Sequence, residues 1–533
     1  MAVTTPAGIR DVDVVVVGAG PGGLSAATHL AVAGRRVLVV EARDVPGGHM
    51  SALHRGGYAF DIGLHYTVTQ QAQRHLAPLG LDLVFRDYDP TQNFRVVLPG
   101  VDVAVPRGMD AFREQLVLAF PGERETVDAF LRTVHELAAA MRALQHHAGV
   151  LGLPTLPWRA RALVRHARST LGGYLDSLHA SPQLKAVLGV HLGTMGTEPA
   201  RLSLPAYAIV LAHYLEGASY PEGGAQRITD GLVDELHRHG GAVLTGHEVT
   251  QVLVSGRQVR GVKVAPAGYG TASENGFDVL APVVVAASDL RRTVLELVPD
   301  GALPPRLLHR VRGAELPLPV AGMFLVLDRD LRAEGVPVSV QYVLDDPDVD
   351  TAFAALRHGQ QPPVTGLSLS PASLVDPTNG GLCRAGQTNL QLLTVSSPSH
   401  RYWGVEAGAP TGARYAARKR ELRDRLLGLA DRVVPGIADS VAFEETFTPL
   451  AEERWMRVSG GQSYGLAFTP AQLMSRPGPK TPLRGLFLAG AATRTGHGLV
   501  GTLAGGTAAA AAVLGIPEHE LLARRPQRAL ASV

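Results

Sequence analysis

Two groups of residues in this sequence have the types and spacing that chemistry needs. The first is the glycine run Gly18-Ala19-Gly20-Pro21-Gly22-Gly23, followed by Glu41 at the end of the next apolar stretch. Gly18 permits a tight turn, Gly20 lets backbone amides approach a pyrophosphate, and Gly23 with Ala27 lets a helix lie close to a sheet. The start of that helix offers unpaired N–H groups to the anion. Glu41 would accept hydrogen bonds from ribose hydroxyls, and an acid at that position disfavours a 2′-phosphate. The set reads as a dinucleotide site; its alternative is an ordinary glycine turn.

The second group can hold or move a proton. It comprises His65 and Tyr66, then His213 with Tyr214 and Glu216 ahead of the Tyr220-Pro221 turn, and His497 between Gly496 and Gly498. Imidazole, phenol and carboxyl are the groups general acid–base catalysis uses, and each also has a plainer role as a packed or hydrogen-bonded side chain. No cluster of His, Asp, Glu or Cys has metal-ligand spacing, and the adjacent His146 and His147 would not share a helix face. Cys383 is the single cysteine, which excludes an internal disulfide and a multi-cysteine zinc site and leaves a small passive side chain.

The elements that must position these groups follow from pattern. Asp13-Val-Val-Val-Val17 is a compact β-branched run, the glycines turn it into an Ala/Leu-rich helix ending near Ala33, and residues 37–40 are a second apolar run. That is one βαβ unit of a parallel sheet. Residues 126–171 have helical periodicity, 248–264 alternate around Ser255-Gly256 as a hairpin, and a buried strand follows at 283–287. Further strands are expected at 320–327 and 389–394, and a charged amphipathic helix at 415–434, stopped by Pro435-Gly436. Near the C-terminus, residues 517–533 read as a helix followed by a frayed tail.

A chain of 533 residues can bury a large core, and Lys plus Arg of 50 against Asp plus Glu of 48 leaves a net charge of +2. So small a charge produces no field for nucleic acid, which is excluded as a partner. Only four lysines occur (Lys185, Lys263, Lys419, Lys480), so arginine richness reflects the chain's overall bias. One cysteine fits a reducing compartment, residues 1–10 lack a signal-peptide pattern, and a cytoplasmic location is expected. The longest weakly polar stretch, residues 501–516, falls short of the ~18–20 apolar residues a membrane span needs. Residues 151–168 combine apolar anchors, Trp158 and closely spaced arginines, which could lie on the inner face of a membrane; a solvated arginine-rich helix is the alternative.

Ala42-Arg43-Asp44-Val45-Pro46-Gly47-Gly48-His49 resembles the double-glycine loop of the large FAD-oxidoreductase superfamily that includes amine oxidases and carotenoid desaturases. His49 stands where that loop usually has arginine. Residues 486–501, with Gly490, Ala491, His497, Gly498, Leu499 and Val500, resemble the C-terminal flavin motif of the carotenoid-desaturase branch, whose helix start faces the flavin pyrimidine ring. Val249 matches a position whose backbone commonly contacts adenine. Three further stretches, Phe60 to Tyr66, His213 to Gly224 and Gly498 to Gly505, look like the all-trans-retinol 13,14-reductase (retinol saturase) branch.

The resemblance implies an α/β fold: a Rossmann-like FAD-binding domain of glutathione-reductase/amine-oxidase type with an inserted α+β substrate lobe. It divides the chain into FAD-binding segments 11–100, 218–292 and 476–518, a lobe at 101–217 and 293–475, and a tail at 519–533. FAD would be held by Gly18, Gly20, Gly22, Gly23, Glu41, Ala42, Arg43, Gly47, Gly48, His49, Val249, Gly490, Ala491, Gly498, Leu499 and Val500. Hydride from flavin N5 would saturate an alkene of a hydrophobic polyene or isoprenoid-like substrate, with His65, Tyr66, His213 or His497 as catalytic side chains. Desaturation or cis-trans isomerisation on the same scaffold, amine oxidation, and a prenyl-lipid carrier resembling GDP-dissociation inhibitors are the alternatives. A single GxGxxG makes a second dinucleotide domain unexpected, so electrons would come from transiently bound NAD(P)H, from ferredoxin or from a quinone.

Overall fold

The computed structural model describes residues 11–146, 161–268, 276–360, 364–405 and 411–524. Val14–Val17 sits at the centre of a five-stranded parallel sheet, paired with Val37–Val40 on one side and Val283–Ala286 on the other. Ala242–Leu244 and Leu486–Leu488 close the two edges, so strands from both ends of the chain share one sheet. All four valines of the central strand are buried, as expected of a parallel strand covered on both faces.

The period of two decides which side chain meets which layer. Val14 and Val16 pack with Leu24 and Leu30 of helix Pro21–Val32, Leu232 of helix Gln226–Arg238 and Leu503 of helix Gly498–Leu514. Val15 and Val17 pack on the opposite side with Val249, Val262 and Val264. Those residues belong to an antiparallel three-stranded sheet, His247–Ser255, Gln258–Pro266 and Phe277–Leu280, in which Ser255 pairs with Gln258 across the expected turn. Helices, parallel sheet and antiparallel sheet form the three layers of the expected Rossmann-like domain.

A seven-stranded sheet builds the second body, in the order Val441–Phe447, Val320–Leu327, Thr388–Val395, Gly366–Ser370, Val340–Leu344, Phe94–Leu98 and Val101–Val105. All its pairings are antiparallel except that of Val340–Leu344 with Phe94–Leu98. Gly100, where the sequence-based division falls, is in the turn joining the last two strands, both of which lie in this sheet. Leu422, Leu426 and Leu427 of helix Ala413–Ala430 cover one face through Met323, Leu325 and Leu392. Helices Arg124–His146, Pro182–Leu188 and Leu204–Tyr214 gather around Phe94, Val96 and Val105.

The amphipathic helix expected over 415–434 ends earlier, at Ala430. The Asp431 carboxylate accepts the N–H of Gly436 at 2.8 Å, a local alternative to another helical turn. Val434 and Ile437 then turn into the core. Of the stretch 151–168, Trp158 and its neighbours lie outside the described residues, and residues 161–168, which begin with helix Arg161–Arg165, lie within them. Beyond helix Glu518–Leu522, residues 525–533 also lie outside them. Among the described residues no helix is long and apolar enough to cross a membrane.

Candidate active site

One cavity of about 1640 Å³ runs between the two bodies. A drug-sized ligand occupies a pocket of roughly 300–1,000 Å³, so this space accommodates a dinucleotide together with a second molecule. Its wall contains Gly18, Gly20, Gly22, Glu41, Ala42, Arg43, Gly48, His49, Val249, Gly490, Ala491, Gly498, Leu499 and Val500.

Gly23 and Gly47 of the expected set are absent from that wall and shape it from behind. A Cβ on Gly23 would lie 2.0 Å from the Gly18 carbonyl oxygen, so only glycine lets the helix start against the strand end. Gly47 donates its N–H to the Ala19 carbonyl at 2.8 Å, tying the second glycine loop to the first. Helix Gly498–Leu514 comes equally near: a Cβ on Gly506 would lie 2.3 Å from the Gly22 carbonyl oxygen. The Ser25 hydroxyl donates to the Leu503 carbonyl at 3.0 Å. Residues at opposite ends of the sequence are thus held as one cradle.

Glu41 is buried and accepts the N–H of Ala19 at 2.8 Å through one carboxylate oxygen and that of Arg43 at 2.9 Å through the other. A carboxylate has about four acceptor positions, which leaves capacity for ribose hydroxyls. Arg43 reaches over the double-glycine loop to the Ser51 hydroxyl at 2.8 Å and the Gly48 carbonyl at 3.2 Å. His49 approaches Glu452 at 3.1 Å, joining that loop to helix Pro449–Met456. A Cβ on Gly20 would meet nothing within 4 Å, and one on Gly48 would sit 3.3 Å from the Gly20 Cα. Open space beside a bare backbone, a helix start and a carboxylate with acceptor positions left over fit the adenosine diphosphate half of FAD.

The remaining wall is largely apolar, including Val190, Leu192, Ile209, Val349, Phe353 and Leu356. Ala206, Ile209, Val210 and His213 of helix Leu204–Tyr214 all face it, at the i, i+3, i+4, i+7 spacing of one helix stripe. His65, Tyr66, His213 and His497 all line the same cavity; the Tyr214 ring bridges Tyr66 and His213, at 4.8 and 5.0 Å, and His497 packs on Tyr464 and Phe468. Burial pushes the His65 and His213 imidazoles down to about 4. His497 is likewise at about 4, through burial and the nearby Arg476, and its buried Nδ1 has no partner. At neutral pH all three rings are uncharged and cannot serve as ready-protonated acids.

Tyr66 differs. Its hydroxyl lies 2.7 Å from that of Tyr342, and burial raises both phenols well above their ordinary values, so both keep their protons. Tyr214 stands 4.8 Å from the Tyr66 ring, Phe94 5.0 Å, and His191 touches Phe94 and Tyr214, each at 4.7 Å. Glu216 is at the partly exposed rim, accepting from Gln71 at 3.2 Å. Cys383 lies off the cavity, 3.3 Å from the Gln387 carbonyl. Among the described residues no group of three His, Cys, Asp or Glu could hold a metal ion.

Three residues at the site carry no local signal in the sequence: Tyr342, in a short apolar strand; Tyr464, a loop residue on the cavity wall 5.0 Å from the His497 ring; and Arg476, in an arginine-rich chain.

Residues 21–514 match the family described as flavin containing amine oxidoreductase. The chain is 28% identical over 537 residues to an all-trans-retinol 13,14-reductase of Macaca fascicularis, covering 94% of this chain and 85% of that one. It is 25% identical to prolycopene isomerase 1, chloroplastic, of an Oncidium hybrid cultivar, covering 95% and 85%. Its fold is similar to that of the cyclohexylamine oxidase of Brevibacterium oxydans, with a TM-score of 0.63, 16% identity, and 96% and 99% of the two chains covered. The expected resemblance to retinol reductases and carotenoid-type enzymes is borne out.

Proposed function

The chain belongs to the flavin-containing amine oxidoreductase family, and from that premise we propose that it saturates a carbon–carbon double bond of a hydrophobic polyene or isoprenoid-like substrate. It is an FAD-dependent oxidoreductase, an enzyme and not a carrier. FAD, when bound, would supply the hydride from N5. Glu41, Arg43 and the amides at Gly20 and Gly22 would hold its dinucleotide part, and Gly490, Ala491 and the helix start at Gly498, Leu499 and Val500 would hold its ring system. Gly18, Gly23 and Gly47 keep those groups in place.

The observation that carries the reading is the Tyr66–Tyr342 hydroxyl pair, set in an otherwise largely apolar cavity beside three neutral imidazoles. Hydride addition to an alkene leaves negative charge on the neighbouring carbon, and a positioned acid must protonate it. Tyr66 donates that proton, with Tyr342 as its hydrogen-bonded support. His65, His213 and His497, uncharged near neutrality, orient the cofactor edge and the substrate. The apolar walls exclude water from the reacting carbon.

The electron source is a transiently bound NAD(P)H, a ferredoxin or a quinone, since the chain has one GxGxxG. An apolar substrate would enter from a membrane surface on the cytoplasmic side. Val164 of helix Arg161–Arg165, 75% exposed and also on the cavity wall, supports that route. We further propose the division into FAD-binding and substrate-lobe segments set out from the sequence, with its first boundary moved ahead of strand Phe94–Leu98, which pairs within the lobe's sheet.

The test is anaerobic. The purified protein's flavin spectrum is recorded, the flavin is reduced with dithionite, and a polyene is added while reoxidation and product mass are followed. Reoxidation with a product two hydrogens heavier is expected. An isomer of unchanged mass with the flavin still reduced would replace saturation by isomerisation, a reading the similarity to prolycopene isomerase favours next. A product two hydrogens lighter from oxidised flavin would establish desaturation instead.

A further inference from the structure

Arg476 is a buried cation without an acid. Only 4% of it is exposed, and no carboxylate among the described residues forms an ion pair with it. Its guanidinium donates to the Ala491 and Thr493 carbonyls at 3.0 and 3.1 Å and to the Leu466 carbonyl at 2.5 Å. The Phe468 ring lies 4.0 Å away, and the buried Nε has no acceptor. Burying a charge is costly unless an opposite charge or a full set of hydrogen bonds compensates. Tethering a loop to three carbonyls needs donors but no net charge.

Its position suggests what the charge does. Ala491 is on the cavity wall, and Arg476 stands directly behind it, bonded to its carbonyl. The start of the seventeen-residue helix Gly498–Leu514 opens on the same cavity and adds a partial positive charge of its own. Arg476 also helps hold His497 neutral, which removes a competing cation from that wall.

We infer that Arg476 is an electrostatic positioning residue: its unpaired guanidinium, fixed behind Ala491, favours an anion in the cavity, namely the reduced flavin deprotonated at N1. The inference rests on the reading that this cavity holds FAD. A buried charge in low-dielectric surroundings raises the affinity for electrons without touching the cofactor.

The test compares holoprotein of the wild type, Arg476→Gln and Arg476→Lys by anaerobic reductive titration against a reference dye. The readouts are the flavin midpoint potential and the absorbance of the fully reduced flavin across pH. Gln keeps a donor and loses the charge; its reduction equilibrium is expected to fall about tenfold, with reduced flavin taking up its N1 proton at higher pH. Lys is expected to match the wild type at low pH and to fall to the Gln value as its own buried ammonium deprotonates. Wild-type potentials in both variants would overturn the inference. If the Gln variant fails to fold, Arg476→Met, which also removes the charge, takes its place: a lowered potential supports the inference, and a wild-type potential overturns it. A wild type that binds no flavin would overturn the cofactor reading and this inference together, whereas bound flavin with unchanged potentials overturns this inference alone.

Discussion

The hydroxyls of Tyr66 and Tyr342 lie 2.7 Å apart although the two residues are 276 positions apart in sequence. One comes from the loop that follows strand Tyr58–Asp61, the other from strand Val340–Leu344 of the large sheet. Their pairing sets one donor's direction by the other's. Tyr66→Phe is expected to slow anaerobic flavin reoxidation by the alkene by about 10²–10⁴-fold, with flavin content unchanged. Tyr342→Phe, which removes only the support, should cost about tenfold. Equal rates in the wild type and Tyr66→Phe would remove Tyr66 as the donor.

Two glycines that look alike in the sequence should respond differently. Gly23→Ala places a methyl 2.0 Å from a backbone oxygen and should lower stability by about 1–3 kcal/mol. Gly20→Ala meets nothing within 4 Å, at a φ of −71° that alanine adopts readily. Its cofactor-free Tm should match that of the wild type, while flavin binding falls at least tenfold because the methyl occupies the space of the pyrophosphate. Thermal melts with and without added FAD separate the two effects.

This contrast marks what the sequence can disclose. Strand Val14–Val17, the glycine turn, Glu41 and the hairpin at Ser255 are local patterns, and each is found where its pattern places it. His497 was also accessible, because the glycines flanking it define a turn. Tyr342 was not: Val-Gln-Tyr-Val-Leu is nearly all buried and lacks the alternation that would mark a cavity-facing side. Its meeting with Tyr66 depends on the long-range parallel pairing of Val340–Leu344 with Phe94–Leu98. Aromatic residues are 5% of the chain, yet Tyr66, Phe94, Tyr214 and Tyr342 converge on one place, a matter of topology that composition does not record.

Buried histidines should make the protein acid-sensitive. Burial holds His29 and His191 down to about 3 and His65, His75, His213 and His497 to about 4, against about 6.5 when unfolded. Between those values the unfolded chain binds more protons, so stability falls as pH drops from about 6.5 towards 4. Asp61, raised to about 6 by burial despite its hydrogen bonds from Tyr220 and the Ala225 N–H, works the other way: its native proton is lost as pH rises through about 6, and stability with it. Six groups outweigh one, and Tm should decline steadily below pH 6.5. His191 allows a sharper check, since it is fully buried and neither ring nitrogen has a partner. His191→Phe should raise Tm at pH 5 by more than at pH 8; an equal change at both would show that the ring takes no part in the acid transition.

The stripe Ala206, Ile209, Val210 and His213 offers a way to alter substrate reach without touching the cofactor cradle. These residues share one face of helix Leu204–Tyr214 and all line the cavity, whereas Leu204, Tyr207 and Leu211 of the same helix are buried in the lobe's core. Replacing Ile209 with Trp adds bulk that projects into the cavity, while the opposite, core-packed face is unchanged. Flavin content and dithionite reduction should therefore match those of the wild type. For a long polyene, KM is expected to rise about tenfold or more, because burying each methylene contributes about 0.8 kcal/mol and the blocked volume excludes several. A short alkene that stops before residue 209 should keep its kcat and KM. Equal losses for both substrates would mean that the substrate does not lie along this stripe.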